Sequence, residues 1–197
     1  MIILVRHGQT VTNAQRLLVG RSDPELTPLG ERQALALRPL LANVREVWSS
    51  PLQRALVTAS IALPDLEPTV KTSFIEVDYG DLDGQPLSAV TPEQWQIFET
   101  DHRSALGGGE SLASVDDRVH AELDALLGDE SSLLYDNHHH LCIVSHVSPI
   151  KSATTWALGV AGSVAWRTRL DNGSLTTIAV RGVTPALIHF NHVPPVD

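Results

Sequence analysis

The chain has 197 residues, 43% of them hydrophobic and 19% charged, the size and make-up of one globular domain with a sizeable core. A formal charge of −9 excludes a general nucleic-acid or anionic-membrane binder, so an anionic ligand must be drawn by local positive charge. Arginine supplies that charge almost alone, because Lys71 and Lys151 are the only lysines.

The first apolar run, MIILV (1–5), reads as a buried strand of the parallel type, continuous rather than alternating, and it ends in Arg6-His7. With charge following so soon and no basic leader, it is too short for the apolar core of a signal peptide. Thr27-Pro28 marks a helix start, a cap oxygen before a proline at the first helical position, and Pro39 ends or kinks that helix near Arg38. REVWS (45–49) is the next strand, followed by a second such start at Ser50-Pro51. Thr91-Pro92 opens a further helix, with Gln94 completing a capping box. Beyond GGGES, a helix follows Ser111, and its Leu112, Val115, Val119, Leu123 and Leu126 share one apolar face. LCIVS (141–145) is the third strand, and Ser148-Pro149 predicts a helix start behind it. SLTTIAV (174–180) and ALIHF (186–190) read as late strands, antiparallel at an edge. No repeat interrupts this order, and no apolar stretch approaches the ~20 residues of a membrane span.

Strands alternating with helices predict a single catalytic domain over residues 1–197, built as a three-layer α/β/α sandwich around a mostly parallel sheet. In such sheets ligands sit beyond the carboxyl ends of the strands. At those ends stand Arg6 and His7, then Ser49-Ser50 with Arg54 in the first turn behind them, then His146. Two arginines, two histidines and two helix N-termini make a site for a tetrahedral anion, with phosphate the natural guest. The single cysteine, Cys142, cannot form an internal disulfide and fits a reducing compartment, so the expected location is the cytoplasm.

The segments RHGQTVTN, SSPLQRALVTA, FIEVDYGDLDG, GGGES and VSHVSPIK, in this order, resemble the histidine phosphatase superfamily, phosphoglycerate-mutase-like branch (branch 1). The resemblance runs from Ile2 to the neighbourhood of Gly159 and implies a phosphoglycerate-mutase-like fold. It implies that His7 is the nucleophile that becomes a phosphohistidine, and that Arg6, Arg54 and His146 hold the phosphoryl oxygens. By the same resemblance Asn13 helps bind that phosphate and Glu76 protonates the leaving group, with Asp78, Asp81 and Asp83 as nearby competitors for the role. The chemistry suits these residue types. A neutral imidazole is a competent nucleophile, and two arginines with a second histidine neutralise a transferring phosphoryl group without a metal. A dianion beside Glu76 favours its protonated form, ready to donate to the departing alkoxide and later to take a proton from water.

The pattern has departures. Family members compared with it carry small residues after the second histidine, where this chain has Val147 and then Ser148-Pro149, which bears on substrate size. Pro149 removes one amide from that helix start and leaves those of Val147 and Ser148 as candidate phosphate donors. Arg21 stands in a loop where it could meet a second acidic group of a substrate or simply face solvent. Glu110 and Ser111 are candidates for the site's border, whereas Trp95 and Phe98 read as packing residues. Neighbours entering a strand point in alternating directions, so His138, His139 and His140 read as an exposed loop and not as a metal site. His102, His120, His189 and His192 read as surface or edge residues.

The expected activity is that of a metal-independent phosphomonoesterase of the histidine acid phosphatase type, with no cofactor and with a small phosphomonoester as its partner. The alternatives are a cofactor-dependent phosphoglycerate mutase, against which the short chain argues, and a non-catalytic phosphate-binding scaffold on the same fold. A homodimer is left open.

Overall fold

The computed structural model describes residues 1–128, 140–160, 162–181 and 184–196. Six strands form one sheet: β1 (Ile2–Arg6), β2 (Val44–Ser49), β3 (Thr69–Val70), β4 (His140–Ser145), β5 (Leu175–Arg181) and β6 (Thr184–His192). Their order is β3-β2-β4-β1-β5-β6. The first four strands in that order run parallel, while β5 and β6 close the far side antiparallel. The late antiparallel pair is thus where the apolar patterning placed it. Two-residue β3 was not foreseen, because its exposed Thr-Val pair carries no apolar run.

The continuous apolar strands serve two cores at once. Along β1, Ile2 and Leu4 face one layer while Ile3 and Val5 face the other; β4 divides Leu141 and Ile143 from Cys142 and Val144 in the same way. One face is covered by α2 (Pro28–Ala36) and α3 (Gln53–Ala62), with Leu37, Ala55 and Ala59 buried against the strands. The other is covered by α5 (Leu112–Gly128) and α6 (Val147–Leu158). Val115, Val119 and Leu123 of α5, at four-residue spacing, are buried there, with Leu112 and Leu126 partly buried beside them. This is the three-layer sandwich. A third, smaller cluster lies apart: Leu18, Val90, Leu106 and Phe98 of α4 (Pro92–Thr100), with Trp95 and Trp166 packed against them. The remaining helix, α1 (Val11–Ala14), is a single turn after β1.

Two helix starts behave as predicted. Thr27 caps α2, and Thr91 with Gln94 forms the capping box of α4. Two do not. α3 begins at Gln53, and Ser50 instead accepts the Leu52 amide on its Oγ at 3.3 Å. α6 begins at Val147 with His146 at its cap, so Pro149 is the third helical residue. The physical reason is the same in both. No amide in the first turn has an intrahelical acceptor, so a proline is tolerated at several positions there and marks the turn rather than the residue. His138 and His139 lie outside the described residues, while His140 opens β4.

Candidate active site

The four parallel strands deliver one group each to the same sheet edge. His7 follows β1, Ser50 and Arg54 follow β2, and His146 follows β4. Glu76 follows β3 after one short turn, and Ser145 Oγ ties that turn to β4 by donating to the Phe74 carbonyl at 2.7 Å. His7, Arg54, Glu76 and His146 are 3%, 1%, 4% and 0% exposed, so their polar atoms must satisfy one another.

They do so around Arg54. Its Nε stands 3.3 Å from Nε2 of His7 and 3.2 Å from Nδ1 of His146. The two other nitrogens donate to the carbonyls of Ser22 and Gly20, at 2.5 and 2.7 Å. Asp23, in the same loop, accepts the amides of Gln53 and Arg54 at 2.6 and 3.3 Å and so caps α3 from outside. Asp83 fixes that loop in turn, accepting from the amides of Gly20 and Ser22 and from Ser22 Oγ.

The histidine tautomers follow from these partners. Nδ1 of His7 lies 2.7 Å from the Gly8 carbonyl, which can only accept, so Nδ1 carries the proton and Nε2 keeps its lone pair. Burial, then Arg54 and Arg6, hold the His7 imidazole well below its ordinary pKa, so it is neutral. Burial and Arg54 do the same to His146, whose Nε2 sits 2.7 Å from Ser50 Oγ. Arg6 donates to the Leu170 carbonyl at 2.6 Å; burial pushes it down to about 10, which leaves it cationic at neutral pH.

Gly8 explains why glycine follows the histidine. A Cβ there would meet the Gly30 carbonyl oxygen at 2.2 Å, so any side chain would push β1 away from α2. Its amide meanwhile donates to Thr58 Oγ1 at 3.1 Å, fixing the backbone on which His7 turns.

Glu76 is the carboxylate that faces this group. Its Oε1 accepts the amides of Val77 and Ser148 at 2.8 and 3.1 Å, and its Oε2 accepts that of Val147 at 3.1 Å. The α6 amides expected to face phosphate therefore hold Glu76, as the positive end of a helix holds the nearest anion. Two of the three competing acids are engaged elsewhere: Asp83 with the loop, and Asp78 with the Gly80 amide and Arg21.

Asn13 is the third residue of a capping box on α1, where its Oδ1 accepts from the Thr10 amide at 3.2 Å. Asn172, unforeseen from the sequence, donates to both Asn13 Oδ1 and the His7 carbonyl, at 3.1 and 3.2 Å. Arg21 is drawn away into pairs with Asp78 (3.5 Å) and Glu110 (3.3 Å), and Glu110 also binds Arg118. Asp23 and Asn172 are the residues that sequence reasoning missed as site supports. Only the Asn-Gly turn before β5 could have signalled the last of them.

Among the described residues, no three His, Cys, Asp or Glu side chains come together to hold a metal ion, and no helix is long and apolar enough to cross a membrane.

A family model described as the histidine phosphatase superfamily (branch 1) matches residues 2–193. A bifunctional protein of Mycobacterium tuberculosis is 35% identical over 185 residues, which cover 89% of this chain and 49% of that protein. The chain thus spans about half the length of the first curated relatives it matches. A Yersinia enterocolitica protein named "Probable phosphoglycerate mutase" is 32% identical over 185 residues, 90% of this chain and 83% of that one. Among solved structures, a mutant Entamoeba histolytica phosphoserine phosphatase in complex with phosphoserine superposes with a TM-score of 0.84 at 28% identity, covering 96% of this chain and 95% of that one. A mycobacterial glucosyl-3-phosphoglycerate phosphatase with VO3 gives 0.87 at 26% identity, over 97% and 98%.

Proposed function

The chain belongs to branch 1 of the histidine phosphatase superfamily, and we propose that it is a metal-independent phosphomonoesterase working through a phosphohistidine on His7. One observation carries this reading: His7 is buried and neutral, with Nδ1–H held by Gly8 and the Nε2 lone pair turned to the Arg54 cation. Nε2 attacks phosphorus as the bond to the alcohol oxygen breaks. Arg6 and Arg54 neutralise the phosphoryl oxygens, the neutral His146 imidazole stands beside them, and Asn13 offers its Nδ2.

Glu76 gives its proton to the departing oxygen. Of its two oxygens, Oε2 accepts a single amide and has room for that proton, whereas Oε1 accepts two. Water then attacks the phosphohistidine and yields its proton to Glu76, which restores the starting state. The positive charge this chemistry needs comes from two arginines, which supports the metal-free reading. Residues 1–197 act as one catalytic domain in the cytoplasm, a location the single buried Cys142 suits.

Acid quenching during turnover of a small phosphomonoester tests the mechanism. The expected product is an acid-labile phosphohistidine at residue 7, with His7→Ala inactive. Phosphate trapped on another residue, or full activity in that variant, overturns it.

A further inference from the structure

Val147 and Ser148, whose amides hold the Glu76 carboxylate, also line a cavity of about 120 Å³. Its apolar side is made by Tyr79, Trp95, Phe98 and Trp166, neighbouring rings of one cluster with centroids 5.6 to 6.5 Å apart. A closed apolar cavity that admits benzene measures about 150 Å³, so this open one of about 120 Å³ is on the scale of one ring and not of a fused system.

The polar lining is equally specific. His102, expected at the surface, instead lines the cavity with its Nε2 2.7 Å from Asp116 Oδ2, and His120 approaches the other oxygen of Asp116 at 3.9 Å. The one carboxylate in the lining is thus engaged by His102, while His120 Nε2 turns to the Ser152 carbonyl at 3.2 Å. Half-buried Lys151 donates to the Ala165 carbonyl at 2.7 Å and forms no ion pair with a carboxylate among the described residues. A partly desolvated ammonium with no carboxylate in direct contact is costly, and an acidic group on a ligand would offset that cost.

We propose that this cavity is a leaving-group subsite selecting phosphomonoesters of single-ring alcohols that carry a second acid group, with Lys151 as the residue that reads the acid. The ring lies against the Trp95–Phe98–Trp166 wall, and the carboxylate pairs with the ammonium. The turnover part of the proposal rests on the phosphatase reading above, whereas the binding part does not.

Benzyl, 4-carboxybenzyl and ethyl phosphate have leaving alcohols of comparable chemistry and separate the two features. Wild-type kcat/KM should rise about tenfold from ethyl to benzyl and about tenfold again with the carboxyl group, each step the size of one buried apolar group or one charge-assisted hydrogen bond. Trp166→Ala should erase the first step, Lys151→Met the second, and Lys151→Arg should keep part of the second. Equal slowing of all three substrates in these variants, or no change in either ratio, overturns the proposal. Calorimetric binding of benzylphosphonate and 4-carboxybenzylphosphonate, which cannot turn over, should show the same Lys151 discrimination. Discriminating binding with no hydrolysis of any monoester would defeat the phosphatase reading and keep the subsite. Hydrolysis without discrimination would do the reverse.

Discussion

The Glu76 carboxylate rests on the amide of Val147, the first residue of α6, at 3.1 Å. The proposed acid is thereby positioned by the same helix start that follows His146, so it and the proposed phosphate site cannot drift apart. Its importance should depend on how badly the leaving group needs a proton. General acid catalysis contributes about 10²–10⁴-fold. In single-turnover measurements Glu76→Gln should slow an alkyl phosphate by such a factor and p-nitrophenyl phosphate far less, because nitrophenolate departs unaided. Equal slowing would move the role to Asp78 or Asp81.

Arg54 should not tolerate lysine. An ammonium keeps the charge but cannot serve His7, His146, Gly20 and Ser22 together, as the planar fork does. Arg54→Lys should lower kcat/KM at least about 10²-fold, the scale of losing a preorganised donor at the transition state. A lower denaturation midpoint should accompany it, since the buried Gly20 carbonyl and the part-buried Ser22 carbonyl lose their partners. Near-normal activity would mean that Arg54 is structural only.

Acid should unfold the protein through its two buried imidazoles. Both are held below their ordinary value, so as pH falls through about 6.5 the unfolded chain takes up protons that the folded chain refuses. Stability is therefore full above that value and lost below it, by about 1.4 kcal/mol per pH unit for each histidine until the folded values are reached. Urea titrations between pH 7 and 5 should show a shallower slope in His146→Asn than in wild type. Identical slopes would show that His146 is not held neutral.

Asn172 is a positioning residue. It joins the Asn13 side chain to the His7 carbonyl, so Asn172→Ala should lower kcat about tenfold through misplacement while leaving KM for a small ester within a few-fold. A change in KM alone would assign it to substrate binding.

Prolonged chelation should leave phosphate release intact. Activity lost with chelator and restored only by one divalent ion would refute the metal-free reading.

What the sequence made legible was whatever lies within one element of a strand end. Arg6, His7, Arg54 and His146 follow from apolar runs and the strand-end rule, and Arg54 Nε stands within 3.3 Å of both histidines. Glu76 needed the resemblance, because two-residue β3 gives no apolar signal before it. The supports were hidden for a different reason. Asp23 reaches α3 and Asn172 reaches the β1 end across 30 and 165 residues of chain, and nothing in the local pattern of either loop declares its distant partner. Pro149 misled by two residues, since its missing amide is free anywhere in a first turn.

The place of β4 in the sheet has a consequence for how the chain assembles this site. β1 and β2 are made early, yet they are never neighbours: β4, beginning at His140, is the strand inserted between them. Until it arrives, both earlier strands present unpaired edges, and the pairing that closes them spans most of the chain, which makes it entropically slow. The strand that closes the sheet also brings His146 and the α6 amides that hold Glu76. Assembly of the sheet and assembly of the active centre are one event, so a ribosome-bound fragment ending before residue 140 should be both inactive and prone to aggregate.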